Sequence, residues 1–199
     1  MARQLGEAGL QAEQVRSQMD AIDPQWRRRV YAYLGRPGEF WRDYNGAVLD
    51  RLGITTHRAE WDARVNAIFD DPGFYRLFPE VREVMTDLAA RGYRLGVISN
   101  SSERLLRTIN HFGLEDVLDP VVFSQKVGAE KPDPRVFEFA LREAGCKAGD
   151  ALHVGDDFEA DLRGATGAGM RAVWLNRMGR PAPGPCEAIT NLRELTTIL

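Results

Sequence analysis

The residues best able to do chemistry lie in Ala151–Met170, ALHVGDDFEADLRGATGAGM. Ala151, Leu152, His153 and Val154 form a mostly apolar run, the pattern of a strand covered on both faces. Gly155 lets the chain turn sharply. Asp156, Asp157, Glu159 and Asp161 then crowd one short segment. They fall at the C-terminal end of a strand and in the first turn of a helix, the edge of an open α/β sheet where ligands bind. Acids in a first helical turn also answer the helix dipole, which accounts for Glu159 as well as a ligand would. Asp156 fits that account poorly, because it sits where the strand leaves the core. Crowded carboxylates there repel one another unless a hard cation neutralises them, and Mg²⁺ suits oxygen ligands.

Two other segments could meet this acidic turn. The run YRLGVIS ends on Ser99, and Asn100 follows. A hydroxyl, an amide and free N–H groups at a helix start can cradle a phosphate or an oxyanion; the same residues also make an ordinary N-cap. In GAEKPDP, Lys131 is held between Glu130 and Pro132-Asp133-Pro134. The prolines limit the loop's freedom and can aim the ammonium at an anion, although an exposed loop lysine has the same look. Hydroxyl, lysine and carboxylates on successive strand ends are more specific together than apart.

Positioning them requires strands alternating with helices. From Pro79 the pattern predicts a helix to Gly92, a strand over Tyr93–Ser99, a helix ending near Gly113 and a strand over Pro120–Phe123. A loop over Val127–Asp133, a helix over Pro134–Gly145, strands over Ala151–Val154 and Arg171–Leu175, and a last helix over Asn191–Leu199 follow. This alternation argues for a parallel sheet with right-handed crossovers. Gly164, Ala165, Gly167, Ala168 and Gly169 make a small-residue helix end suited to close packing. Residues 1–78 read as helical instead. An apolar face begins at Leu5 and Ala8, Val15 and Met19 share helical spacing, and Asp23-Pro24 reads as a helix start. Gly35–Gly38 reads as a turn, and Phe40–Leu52 and Thr56–Phe69 as helices. Their aromatic stripes suit a bundle core.

The 199 residues allow one core plus a small cap, and 44% hydrophobic with 28% charged residues is ordinary globular composition. A net charge of −3 gives no global basic field, so neither nucleic acid nor a membrane surface is an expected partner, and Arg27-Arg28-Arg29 reads as a solvated helix face. No apolar run approaches a membrane span and no signal peptide opens the chain. Cys146 and Cys186 have no metal-ligand spacing, and reduced thiols in a cytoplasmic protein account for them.

Together, the three segments resemble the haloacid dehalogenase-like (HAD) hydrolase superfamily over Pro79–Leu199. VISNSS is similar to its second motif, with Ser99 as the phosphate-binding hydroxyl and Asn100 beside it. GAEKPDPRVF is similar to the third, where Lys131 would stabilise the nucleophile and the transferring phosphoryl group. HVGDDFEADLRGATGAGM is similar to the fourth, which implies Asp156 as a Mg²⁺ ligand and Asp161 as a supporting acid. Asp157 would join them where the family commonly has Ser. Residues 1–78 resemble the helical cap of such proteins, and the pattern is nearest the REG-2-like group that includes haloacid dehalogenase-like hydrolase domain-containing protein 3. The resemblance implies an α/β fold with a Rossmann-like parallel core over 79–199 and a cap over 1–78.

The family's first motif is a strand ending in Asp-x-Asp or a similar pair and Gly-Thr, and its first Asp is the nucleophile. No such stretch occurs here: Asp20, Asp23, Asp43, Asp50 and Asp62 lie in helical patterns. The missing strand would sit between those of Tyr93–Ser99 and Ala151–Val154, leaving two edges without backbone partners. The expectation is therefore a Mg²⁺-dependent phosphatase-type hydrolase of a small phosphorylated metabolite, N-terminally incomplete, with little or no turnover as it stands. Exposed sheet edges would favour association into oligomers. The alternatives are a non-catalytic phospholigand- or protein-binding module and a 2-haloacid dehalogenase; crowded carboxylates argue against the latter. The substrate is unmarked; Arg36, Arg42 and His57 are candidates to face the cleft, with exposed surface the better reading of each.

Overall fold

The computed structural model describes residues 11–33 and 37–199. The chain divides into two compact units, Met1–Tyr75 and Arg76–Leu199. The expected apolar start at Leu5 and Ala8, and the turn residues Gly35 and Arg36, lie outside the described residues, as do the side chains of Arg27 and Arg28.

The first unit contains helices α1 (Ala12–Arg29), α2 (Pro37–Arg51) and α3 (Arg58–Asp70), with 3₁₀ turns at Val30–Tyr33 and Pro72–Phe74. No strand occurs among its described residues. Helix α1 runs through Asp23-Pro24, which the sequence marks as a helix start. An interior proline forfeits one backbone bond and costs about 3 kcal/mol. Here Ile22 and Trp26, on either side of it, are both buried in the unit's core, and Asp23 accepts a 2.8 Å hydrogen bond from the Tyr44 hydroxyl. Burial and this bond offset the break. The Trp26 ring meets Phe40 and Tyr44 edge-on at 5.8 and 5.6 Å, a favoured aromatic geometry. Val48, Leu49, Val65 and Phe69 complete the core. One polar tie crosses it: Asn45, only 1% exposed, donates to Asp62 Oδ1 at 2.8 Å and Asn66 Oδ1 at 3.2 Å, joining α2 to α3.

The second unit alternates strand and helix. In order it contains α4 (Val81–Ala90), β1 (Leu95–Ser99), α5 (Arg104–His111), β2 (Leu118–Phe123), α6 (Ser124–Val127), α7 (Pro134–Ala144), β3 (Leu152–Gly155), α8 (Gly164–Gly167), β4 (Arg171–Leu175), β5 (Ala188–Ile189) and α9 (Leu195–Ile198). All pairings are parallel, with Ser99 opposite Phe123 and Gly155 opposite Trp174. The sheet is in two pieces, β1–β2 and β3–β4–β5. No strand among the described residues joins the two pieces.

Apolar clusters cover both faces. One joins Val84 and Leu88 of α4 to Val173, Ile189, Leu192 and Leu195, with Leu95, Leu152 and Val154 packed against it. The other joins Val136, Phe137 and Ala140 of α7 to Val122, Ala165 and Met170, with Ile98, Ala151 and Ala172 alongside. Each cluster draws on both pieces of sheet, so helix layers hold them in one three-layer body. The small-residue segment packs as its composition suggests: a Cβ on Gly164 would lie 2.8 Å from the Phe137 ring and 3.0 Å from Pro132 Cα. Strand β5 carries no clear pattern in the sequence, and the helix expected over Asn191–Leu199 forms as a 3₁₀ turn, Leu192–Glu194, running into α9. No described helix is long and apolar enough to cross a membrane.

Candidate active site

Strand β1 delivers Ser99 and Asn100 to the C-terminal edge of its sheet, and β3 delivers Asp156 and Asp157 to the C-terminal edge of the other. Lys131 joins the two. Its Nζ donates to the Ile98 carbonyl at 2.9 Å and to Asp161 Oδ1 at 2.5 Å. The lysine and aspartate side chains are 12% and 6% exposed, so the pair is largely shielded from solvent.

Asn100 fixes the loop that presents this lysine. Its Nδ2 donates to the Lys131 carbonyl at 3.0 Å, and its Oδ1 accepts from the Lys131 amide at 2.7 Å. This two-point clasp on one residue's backbone spends the side-chain amide that the sequence suggests for phosphate. On the other side of Lys131, Asp133 caps α7 by accepting from the Arg135 amide at 2.9 Å, with Pro134 in the first turn. Burial pushes the carboxyl of neighbouring Glu130 above its usual range.

After β3 the chain forms a π-helical turn, Phe158–Arg163, where the sequence suggests an ordinary helix. Asp157 starts it: its Oδ1 accepts from the amides of Glu159 and Ala160 at 2.9 and 2.8 Å. The Asp157 carbonyl accepts from the amides of both Asp161 and Leu162, the widened spacing of a π turn. This turn places Asp161 under the strand end. Its Oδ2 accepts from the Asp157 amide at 3.0 Å, and its Oδ1 lies 3.1 Å from His153 Nε2. Burial acts to raise its pKa, but the hydrogen bond from His153 and the charge and hydrogen bond of Lys131 outweigh it, so the carboxyl is held well below the usual range. The space it occupies exists because residue 155 is glycine: a Cβ there would overlap Asp161 Cβ, Cγ and Oδ2.

Asp156 is the exposed carboxylate of the set. Its carbonyl accepts from Trp174 Nε1 at 3.1 Å and from an Arg180 Nη at 3.0 Å. Phe158 meets the Trp174 ring edge-on at 5.5 Å. Among the described residues no three His, Cys, Asp or Glu side chains gather as a metal cage. The site is compatible with Mg²⁺ all the same, because that ion keeps several waters and takes one or two carboxylates plus substrate oxygens. Asp156 offers the exposed hard donor, with Asp157 beside it, while Asp161 is directed at Lys131.

The structure thus brings Asn100, Lys131 and Asp161 into one network, places Ser99 at the adjoining strand end, and leaves Asp156 at the solvent side of β3. Sequence reasoning missed His153, Trp174 and Arg180. His153 stood out only as a polar residue in an apolar strand; nothing local marked the other two. Of the cleft candidates in the first unit, Arg42 pairs with Asp43 at 3.2 Å, His57 precedes α3 with a φ of 54°, and Arg36 lies outside the described residues.

Known proteins similar to this chain include two phosphatases. A glyceraldehyde 3-phosphate phosphatase of Methanothermobacter thermautotrophicus is 45% identical over 106 residues, 51% of this chain and 45% of that protein. This chain thus spans less than half of that relative. A phosphoserine phosphatase of Thermus thermophilus is 36% identical over 183 residues, 88% of this chain and 73% of that protein. The human haloacid dehalogenase-like hydrolase domain-containing protein 3 is 36% identical over 104 residues, 52% of this chain and 41% of that protein. Among solved structures, the putative HAD-hydrolase YfnB of Bacillus subtilis, bound to magnesium, superposes with a TM-score of 0.76. That match has 20% identity and covers 90% of this chain and 81% of that one, a likeness of fold. The profile described as haloacid dehalogenase-like hydrolase matches residues 20–175, and the chain belongs to that family.

Proposed function

We propose that this protein is a Mg²⁺-dependent, phosphatase-type hydrolase acting on a small phosphorylated metabolite. The observation that carries the reading is the Lys131 network. An ammonium fixed by Asp161, the Ile98 carbonyl and the Asn100 clasp lies at the strand edge that also bears the Ser99 hydroxyl and the Asp156 carboxylate. Such a preset cation stabilises charge on a phosphoryl group without reorganising during reaction. Two of the relatives are phosphatases by name.

In this reading Ser99 donates its hydroxyl to a phosphoryl oxygen, and Lys131 opposes the negative charge. Asn100 holds the Lys131 loop in register. Asp156 would hold Mg²⁺, with Asp157 and Asp161 supporting. When bound, the ion supplies Lewis-acid stabilisation of phosphoryl oxygens. Trp174 and Arg180 fix the backbone carrying Asp156. The helical first unit serves as the cap. These residues stabilise the transferring group, and none is assigned as the attacking nucleophile, so residues 1–199 alone should bind phosphate better than they turn it over.

Hydrolysis of p-nitrophenyl phosphate, measured with calorimetric phosphate binding in the presence and absence of Mg²⁺, tests this. Phosphate binding that Mg²⁺ strengthens only when Asp156 is present, with any turnover requiring both, supports it. Turnover that persists without Mg²⁺, or in Asp156→Asn, overturns the metal assignment. Phosphate binding that is indifferent to both Mg²⁺ and Asp156, with no turnover, favours a phospholigand-binding module.

A further inference from the structure

We propose that Arg180 is a second anion receptor of this site, and that the substrate carries, besides its phosphoryl group, a second anionic group, carboxylate or phosphate, which this guanidinium receives. The inference rests on the phosphatase reading above and deepens it by naming the substrate's second charge.

Arg180 is presented in the way Lys131 is. Asn176 follows β4 and is only 8% exposed. Its Nδ2 donates to the Arg180 carbonyl at 2.8 Å, and its Oδ1 accepts from the Arg180 amide at 2.9 Å. Asn100 holds the backbone of Lys131 through the same pair of bonds. Asn176 is anchored in turn, because its own amide donates to the Ile189 carbonyl at 2.7 Å. One clasp starts from the end of β1 and the other from the end of β4, and each fixes a basic residue.

What Arg180 does inside the protein does not account for its charge. The neighbouring Arg177 is a structural arginine: it pairs with buried Glu80 at 2.5 Å and lies over the Phe78 ring. Arg180 is exposed and forms no ion pair among the described residues. Its guanidinium stands over the Trp174 ring, and Nη2 donates to the Asp156 carbonyl at 3.0 Å. That carbonyl already accepts from Trp174 Nε1, so it needs no cation to be satisfied. An uncompensated guanidinium here also opposes the cation that Asp156 would hold. An anion received by Arg180 relieves this repulsion. The clasp, the ring and the carbonyl have already withdrawn part of the side chain's rotamer freedom, and the remaining fork suits a planar, two-point contact with carboxylate or phosphate.

The geometry also sets the spacing. Arg180 bonds the C=O of the Asp156–Asp157 peptide, and the N–H of that peptide bonds Asp161, the partner of Lys131. The two groups of a trans peptide point to opposite sides, so the two cations flank one peptide unit. Following the bonds from one to the other limits their separation to about 13 Å. Contacts of about 3 Å at each end leave up to about 7 Å between the two anions, the span of a short carbon chain.

The test is calorimetric binding, to residues 1–199 with Mg²⁺, of three ligands with matched two-carbon chains: 2-phosphoglycolate, ethylene glycol bisphosphate and 2-hydroxyethyl phosphate. The protein should bind one or both doubly anionic ligands about tenfold or more tighter than the neutral-ended one, and the tighter of the two identifies the second group. Arg180→Gln should bring that ratio to within about twofold, and Arg180→Lys, which keeps the charge and loses the fork, should retain only part of it. Any loss at Asp156 from removing Arg180 weakens all three ligands alike, so the ratio isolates the receptor. Equal binding of the three by the unaltered protein, or a preference that survives in Arg180→Gln, overturns the inference and leaves the phosphatase reading standing. Binding of none of them by the folded protein overturns both. A preference that needs Arg180 but not Mg²⁺ upholds the receptor and removes the metal assignment alone.

Discussion

Replacing Lys131 by methionine keeps most of the side chain's length and removes its charge, and the structure sets the size of the effect. A solvent-exposed ion pair would contribute about 0–1 kcal/mol. Here the partners are 12% and 6% exposed and 2.5 Å apart, and Asp161 retains only His153 and the Asp157 amide when Lys131 is lost. Breaking a buried pair by removing one partner costs about 3–5 kcal/mol, because the remaining charge stays in a poor solvent. Lys131→Met should therefore destabilise the segment around β3 by about that amount. Adding Asp161→Asn should recover part of the loss, with a coupling of about 1–3 kcal/mol. The sign with pH follows from the depressed Asp161 carboxyl. Its contribution is complete above the ordinary carboxylate pKa of about 4 and is lost as pH falls toward the lower folded value. Protonation also relieves the orphaned charge in the variant, so the gap between variant and wild type should narrow below about pH 4. Urea-dependent hydrogen exchange over 152–163 reads all three quantities. A loss under about 1 kcal/mol at pH 7, strict additivity in the double variant, or a gap that widens in acid would refute the buried-pair account.

Other perturbations probe neighbouring parts. Gly155→Ala introduces a Cβ into the space of the Asp161 carboxylate and should cost about 1–3 kcal/mol through overpacking, measured by thermal unfolding; a neutral result would mean that Asp161 has another position to occupy. Asn100→Ala removes the clasp on Lys131 and should weaken phosphate binding while thermal stability falls by only about 1–2 kcal/mol. Trp174→Phe removes the indole donor to the Asp156 carbonyl while keeping an aromatic ring, and should weaken Mg²⁺ binding several-fold by calorimetry. In the first unit, Asn45→Ala leaves Asp62 and Asn66 without their buried donor and should cost about 1–3 kcal/mol, visible as a lower unfolding midpoint.

The second unit was legible wherever its chemistry is local. Four of its strands show as short apolar runs ending in turn residues, and Asp133-Pro134 announces α7 by the usual cap and proline pairing. The glycines and alanines after the acidic turn signal close packing, which Gly164 against Phe137 makes concrete. Local pattern failed where a distant contact decides. Pro24 reads as a helix start until Ile22 and Trp26 find a common core. The π turn follows from Asp161 reaching Lys131 and His153, partners 30 and 8 residues away in sequence. Asn100 read as a phosphate ligand or cap, whereas its amide shape matches one peptide unit of the Lys131 loop. Trp174 and Arg180 meet at Asp156 only because β4 lies beside β3. The open edges of β1 and β3 could be anticipated from the lack of a further apolar strand in the pattern, but their persistence within one body depends on helix packing on both faces.

The most direct test of the central claim is calorimetric titration of inorganic phosphate into residues 1–199 with and without Mg²⁺, repeated for Lys131→Met and Asp156→Asn. The account predicts binding that Mg²⁺ strengthens, that Lys131→Met weakens in either condition, and that Asp156→Asn renders indifferent to Mg²⁺. Phosphate binding insensitive to both substitutions, or none with either Mg²⁺ condition in the folded protein, would contradict it.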